Sequence, residues 1–272
     1  MQINELQKIS TEVRKDIIKM LGKAKSGHPG GALSIVDILV TLYNKVMKVD
    51  SQNPHWEDRD RLVLSKGHGC PALYSVLAHK GYFDSERLWT LRKLGSMLQG
   101  HPDMRKTPGI DVSVGSLGQG LSVAVGLALG AWLKNKSYRV FAIIGDGEMQ
   151  EGQIWEALMS SIHYKLDDLI IILDYNKLQI DGTNEEVMSL GNIKDRMQAF
   201  GFDVYEIDGH NYNEIYDALS APAVAQKPRF IIAHTIKGKG VSFMENQVGW
   251  HGKAPNAEEV EKALADIGGK TI

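Results

Sequence analysis

Apolar residues recur at helical spacing near the start of the chain, at Leu6, Ile9, Val13, Ile17 and Leu21 and again at Ile35, Ile38, Leu39, Leu42 and Val46, which predicts two packed helices. Residues 61–64, 139–144, 169–173, 203–207 and 230–235 are short apolar runs of strand type. Helical patterns occupy residues 71–79, 85–98, 154–164 and 213–219. Residues 115–134 read as a long helix of small residues, Ala124-Val125-Gly126-Leu127-Ala128-Leu129-Gly130 among them. Glycine weakens a helix interior by about 1 kcal/mol, so this run predicts a tight contact with another backbone. Residues 256–267 form the last predicted helix, with Asn256 and Glu259 as a capping pair and Gly268-Gly269 as a stop. The alternation predicts an α/β fold in which a parallel sheet is flanked by helices on both faces. No linker or repeat divides the chain, so residues 1–272 are expected to form one domain.

Composition changes this picture little. The chain is 43% hydrophobic and 24% charged, with 31 basic and 33 acidic side chains, so no overall field favours nucleic acid or a membrane surface. Cys70, the single cysteine, rules out an internal disulfide and suits a reducing cytoplasm; it reads as a small buried residue. The N-terminus lacks the pattern of a signal peptide, and no run approaches eighteen apolar residues, so a cytoplasmic location without a membrane span is expected. Lys237-Gly238-Lys239 is read as a solvated loop, with phosphate contact as the alternative.

The candidate chemistry starts at Gly145-Asp146-Gly147-Glu148-Met149-Gln150-Glu151-Gly152, on a strand-to-helix turn, with Asn176 thirty positions after Asp146 in Leu173-Asp174-Tyr175-Asn176-Lys177. Glycines and free N–H groups at such a turn admit a diphosphate. The Asp146 carboxylate would repel one unless a divalent cation stood between them, and Mg²⁺ combines one or two protein oxygens with phosphate oxygens and water. Asn176 Oδ1 and the Leu178 main-chain carbonyl are the further candidate metal ligands. The rival reading, a dinucleotide site, lacks its third glycine, because Gln150 stands there. No P-loop motif occurs.

Four of the nine histidines, His28, His68, His101 and His251, lie in loops marked by glycine or proline. Zinc would require close-spaced ligands that the sequence does not offer. Neutral imidazoles that bind hydroxyl groups and move protons fit better. The turn Gly115-Ser116-Leu117-Gly118 presents backbone to a flat ring or is merely a flexible helix entry.

Taken in order, Ser26-Gly27-His28-Pro29-Gly30-Gly31, Leu64-Ser65-Lys66-Gly67-His68, Gly100-His101-Pro102-Asp103, Gly115-Ser116-Leu117-Gly118-Gln119-Gly120 and the Asp146–Asn176 signature resemble the thiamine diphosphate-dependent transketolases, specifically their diphosphate-binding half. The resemblance runs from about Ile9 to Pro255 and implies the thiamine diphosphate-binding fold of PP type, with thiamine diphosphate and Mg²⁺ as cofactors. It implies that Asp146, Asn176 and the Leu178 carbonyl hold the metal, and that Gly147, His68 and His251 contact the diphosphate. Gly115 would contact the cofactor, Leu117 would pack on the aminopyrimidine, and Glu151 would link two cofactor sites across an interface. His28, His101 and His251 would act on the sugar. The implied reaction moves a two-carbon ketol unit from a ketose phosphate to an aldose phosphate, with pentose-phosphate sugars as the default.

Departures from the family pattern are Val114 and Ser116 where Thr and Pro are common, Lys66 where Asn is frequent, and Tyr175 where a second Asn is usual. The chain also stops before the pyrimidine-binding domain that carries the activating glutamate, and before a C-terminal domain. A separate partner chain carrying that half is therefore expected, two copies of each half making the assembly. Two alternatives are a thiamine diphosphate carrier without activity and the corresponding part of a 2-oxo acid dehydrogenase or deoxyxylulose-phosphate synthase.

Overall fold

Strands β1 (Arg61–Leu64), β2 (Val140–Gly145), β3 (Leu169–Tyr175), β4 (Asp203–Asp208) and β5 (Arg229–His234) build a parallel sheet in the order β1-β2-β3-β5-β4. The computed structural model describes residues 1–269. Because successive side chains of a strand point to opposite faces, each central strand feeds two cores. Phe141, Ile143, Ile170, Ile172 and Ile231 join a core built with the helices Ile3–Ala24, Val36–Thr41, Cys70–His79 and Tyr212–Ser220. Ala142, Ile144, Ile171, Leu173 and Ile232 join a second core with the helices Gln119–Leu133, Gly152–His163 and Ile193–Phe200. Helices on both faces explain why the central strands are apolar throughout rather than alternating.

The register aligns the strand ends: Gly145 pairs with Asp174, Tyr175 with His234, and Ser65 N donates to Ile143 O at 2.9 Å. One edge of the sheet therefore presents the residues that follow β1, β2, β3 and β5 side by side, the usual place for a ligand in such a sheet.

Several expected elements are altered. Residues 85–98 do not form a helix: a 3₁₀ turn at Ser85–Thr90 gives way to a loop in which Arg92 (φ 60°) and Gly95 (φ 78°) are left-handed. The helix expected over 35–46 is α-helical at Val36–Thr41 and widens into a π turn at Leu42–Val46. The small-residue helix begins at Gln119, because Gly118 adopts φ 86° and leaves 115–118 as a loop. Its tight backbone contact is at Gly120, where an added Cβ would lie 2.7 Å from Ser65 Cα; at Gly126 and Gly130 such an atom has none of the described residues within 4 Å. In the last helix, Ala257–Gly269, Asn256 Oδ1 accepts from Glu259 N at 2.9 Å and Glu259 Oε2 accepts from Asn256 N at 2.8 Å, as a capping pair should. Gly268 and Gly269 fall inside this helix, and the stop expected after them lies outside the described residues. Among the described residues no helix is long and apolar enough to cross a membrane.

Candidate active site

Asp146 follows β2 and is 3% exposed. Its Oδ1 accepts from Gly147 N at 2.8 Å and its Oδ2 from Lys177 N at 2.5 Å. No ion pair reaches it among the described residues. Burial and the neighbouring charge of Asp174 push its pKa up to about 6. The two amides and the Asn184 side chain pull the other way, and Lys237 lies within electrostatic reach, but burial outweighs them. Asn176, beyond β3, turns Nδ2 to Asp174 Oδ2 (3.2 Å) and accepts from Leu178 N on Oδ1 (3.1 Å). Lys177 takes φ 66°, so the loop turns back and its Leu178 carbonyl borders the same cleft.

Two acids hold this edge together. Asp174 is fully buried and accepts from Ser34 Oγ (2.8 Å), Lys66 Nζ, Thr235 Oγ1 and Asn176 Nδ2, and the Lys66 charge together with these bonds outweighs burial to keep its pKa low. Glu148 accepts from Ser65 Oγ (2.5 Å), Gly118 N (2.9 Å) and Gly145 N (3.0 Å), so it ties the ends of β1 and β2 to the 115–118 loop. Lys66, in the place where the family often has asparagine, is thus one half of a buried ion pair.

Lys237 corrects the solvated-loop reading. It is 2% exposed, and its ammonium donates to the Leu178 carbonyl (3.1 Å) and to His251 Nδ1 (2.9 Å). Burial, and then the charge of Lys66, bring its pKa down to about 8. Lys237 lines the same cleft as Asp146 and His68.

Three imidazoles form a triangle at the mouth: His28–His68, His68–His251 and His28–His251 ring centres lie 5.2, 5.4 and 5.6 Å apart. Burial is the main cause that lowers the pKa of each; Lys66 adds to it at His68, Lys237 at His251, which falls to about 4, and Arg92 at His28. All three are therefore neutral near pH 7. His28 Nδ1 is buried without a hydrogen-bond partner among the described residues. His101 is exposed and sits over two glycines, with Cβ atoms added at Gly67 and Gly115 lying 3.4 and 3.7 Å from its ring.

One cleft is lined by His68, Leu117, Asp146, Gly147, Glu151, Asn176, Leu178 and His251 of the expected residues. His28 borders it through the other two rings. Gly115 and His101 stand together to one side, and Gly115 does not line this cleft. Sequence reasoning gave no role to Asp174, Glu148 or Ser34. Asp174 sits two residues before Asn176 and Glu148 two after Asp146, so a search for buried acids flanking the motif would have reached both.

Residues 6–271 match the family model of the transketolase thiamine diphosphate binding domain. A 6-deoxy-6-sulfo-D-fructose transketolase subunit of Clostridium sp. (strain MSTE9) is 49% identical over 264 residues, 97% of this chain and 96% of that protein. An apulose-4-phosphate transketolase subunit of Phocaeicola vulgatus is 45% identical over 98% of this chain and 95% of its own length. Transketolase from Campylobacter jejuni has a crystal structure that superposes with a TM-score of 0.92 at 36% identity, over 98% of this chain and 43% of that one. The chain therefore spans nearly all of the subunit relatives and less than half of the longer enzyme. These likenesses favour transketolase over the 2-oxo acid dehydrogenase and deoxyxylulose-phosphate synthase alternatives. With its parallel sheet and strand-end cleft, the chain belongs to the transketolase family of ketol transferases, as the thiamine diphosphate-binding part.

Proposed function

We propose that this chain is one half of a two-chain transketolase, in which it binds thiamine diphosphate through Mg²⁺ and a partner chain supplies the pyrimidine-binding half. The observation that carries the reading is Asp146, buried at 3% exposure with a raised pKa and in no ion pair among the described residues. The residues around it fit the cofactor. An acid, an amide oxygen and a main-chain carbonyl at Asp146, Asn176 and Leu178 make the oxygen set that Mg²⁺ shares with phosphate. Lys237, His68 and His251 place one cation and two neutral donors on the same cleft, and Gly147 borders it.

When bound, thiamine diphosphate supplies the carbanion chemistry that breaks and remakes the carbon–carbon bond of the sugar. The chain's own part is binding and proton handling. Neutral His28, with its unpaired Nδ1, and His251 are placed to exchange protons with sugar hydroxyls, and His101 binds the donor end. Glu148 fixes the 115–118 loop so that Leu117, 38% exposed, presents its side chain to the aminopyrimidine. The subunit relatives are named for sugars that bear a sulfonate or a phosphate, so the substrates proposed here are ketoses and aldoses with an acidic end group.

The partner surface lies beside the cleft. Val123, Trp132, Leu133 and Met159 are 41, 66, 70 and 62% exposed on the helices Gln119–Leu133 and Gly152–His163, where Gly126, Gly130 and Gly152 leave room for a second backbone. These open glycines would admit a close contact between chains, and Glu151, exposed at the start of the second helix, would face that interface. Two copies of each half complete the proposed assembly.

Pull-down of the tagged chain with Mg²⁺ and thiamine diphosphate, followed by a ketose-to-aldose transfer assay on the eluate, tests the proposal. A second chain in equal amount together with transfer activity is the expected result. Tight cofactor binding with neither partner nor activity would favour a carrier instead.

A further inference from the structure

The loop that carries Lys237 is flanked by Gly238 (φ 82°) and Gly240 (φ 95°), and glycines of this kind leave a backbone free to wander. It is nevertheless pinned on both sides of Lys237. His210 Nε2 accepts from Ile236 N at 2.9 Å, and Arg14 Nε donates to the Lys239 carbonyl at 3.2 Å. Both pins start from one buried acid. Asp37, 2% exposed, accepts from Arg14 Nη1 and Nη2 (3.0 and 2.6 Å), from His210 Nδ1 (2.8 Å) and from Tyr212 Oη (2.6 Å). A backbone N–H can only donate, so His210 Nε2 is the bare nitrogen and Nδ1 carries the proton given to Asp37. The bracket is saturated: both ring nitrogens of His210 and both oxygens of Asp37 are engaged.

We propose that Arg14 and His210 are positioning residues for Lys237, fixing the backbone at Ile236 and Lys239 so that its ammonium is delivered to the Leu178 carbonyl and His251. A lysine stem has four rotatable bonds and loses rotamer entropy when held, so a wandering attachment point would spread the charge away from the diphosphate. The stem also passes close over Gly30, where an added Cβ would lie 2.9 Å from Lys237 Cγ, and Gly238 N donates to Gly30 O at 3.0 Å. A small shift of the loop therefore meets the backbone that leads from His28. The inference rests on the reading of the cleft as a thiamine diphosphate site, and it assigns to this network a function beyond core packing.

The test uses the chain assembled with its partner half and follows thiamine diphosphate binding by calorimetry at saturating Mg²⁺, with the melting temperature of every variant recorded. His210→Asn keeps a donor toward Asp37 but loses the acceptor for Ile236 N–H, and should weaken binding about tenfold while leaving turnover at saturating cofactor within about twofold. His210→Gln, whose side-chain oxygen reaches the Ile236 N–H, should stay within about threefold of the parent. Lys237→Met should weaken binding about tenfold, and in that background His210→Asn should add less than about twofold, because the two act as one unit. Full additivity of the two changes, or a lowered melting temperature with unchanged binding in His210→Asn, overturns the proposal. Absence of any thiamine diphosphate binding by the parent assembly would instead sink the reading of the cleft, and unchanged binding in Lys237→Met would sink the role of Lys237.

Discussion

Asp37 and Asp146 are both buried carboxylates, at 2 and 3% exposure, and the fold treats them in opposite ways. Asp37 receives a bidentate guanidinium, an imidazole N–H and a phenol, and although burial works against the charged form, Arg14 and His210 hold its carboxyl well below the usual range. Asp146 receives two backbone amides and its carboxyl rises to about 6. A saturated acid is a structural joint, while one left in no ion pair among the described residues is the acid to which the proposed function gives a metal. Two histidines divide along the same line: His210 uses both ring nitrogens, whereas His28 keeps a buried Nδ1 unpaired.

The contrast is broken or sharpened by four measurements. Asp37→Asn leaves Arg14 buried without its counter-charge and should lower unfolding stability by about 3–5 kcal/mol in denaturant titrations. The same substitution at Asp146 should change the stability of the metal-free chain by less than about 1 kcal/mol, because loss of an uncompensated charge offsets the donor then facing Lys177 N–H. It should also weaken Mg²⁺-dependent thiamine diphosphate binding by about a hundredfold or more, or about 2.7 kcal/mol, and undiminished binding in calorimetry would remove Asp146 from the metal site. His28→Ala and His101→Ala should each slow ketol transfer in the two-chain enzyme by about ten- to a hundredfold with cofactor affinity within about threefold; equal losses of both would reject their sugar-side roles. The smallest effect concerns pH. The depressed carboxyl of Asp37 contributes stability that is present above the unfolded value of 3.8 and is lost as pH falls below it, so the gap in melting temperature between the parent and Asp37→Asn should narrow between pH 7 and pH 3. A constant gap would mean that Asp37 is not held ionised.

Much of this was legible in the chain. Strand β2, the turn at Gly145-Asp146-Gly147 and the return to Asn176 are local signals, a run of apolar residues ended by glycine and acid, and register alone brings the two ends together. Lys237 was not legible, since Lys237-Gly238-Lys239 has the composition of an exposed loop and its burial follows from contacts with Gly30 and Leu178 far along the sequence. The small-residue run predicted a close backbone contact, and it is met at Gly120 against Ser65, while Gly126 and Gly130 meet no described atom. The 85–98 segment failed for a local reason: nothing in the sequence marks Arg92 as left-handed, because non-glycine residues seldom adopt that conformation.

The acid at the end of β3 has one more consequence, for the order in which the molecule is made. Asp174 gathers Ser34, Lys66 and Thr235, which lie 140, 108 and 61 positions away in the chain. Contacts of such separation form late, because long loops must close before they are rewarded. A nascent chain that has already delivered β1, β2 and β3 from the ribosome still lacks the hydroxyl of Thr235, so this end of the sheet is completed only after most of the sheet beneath it is available.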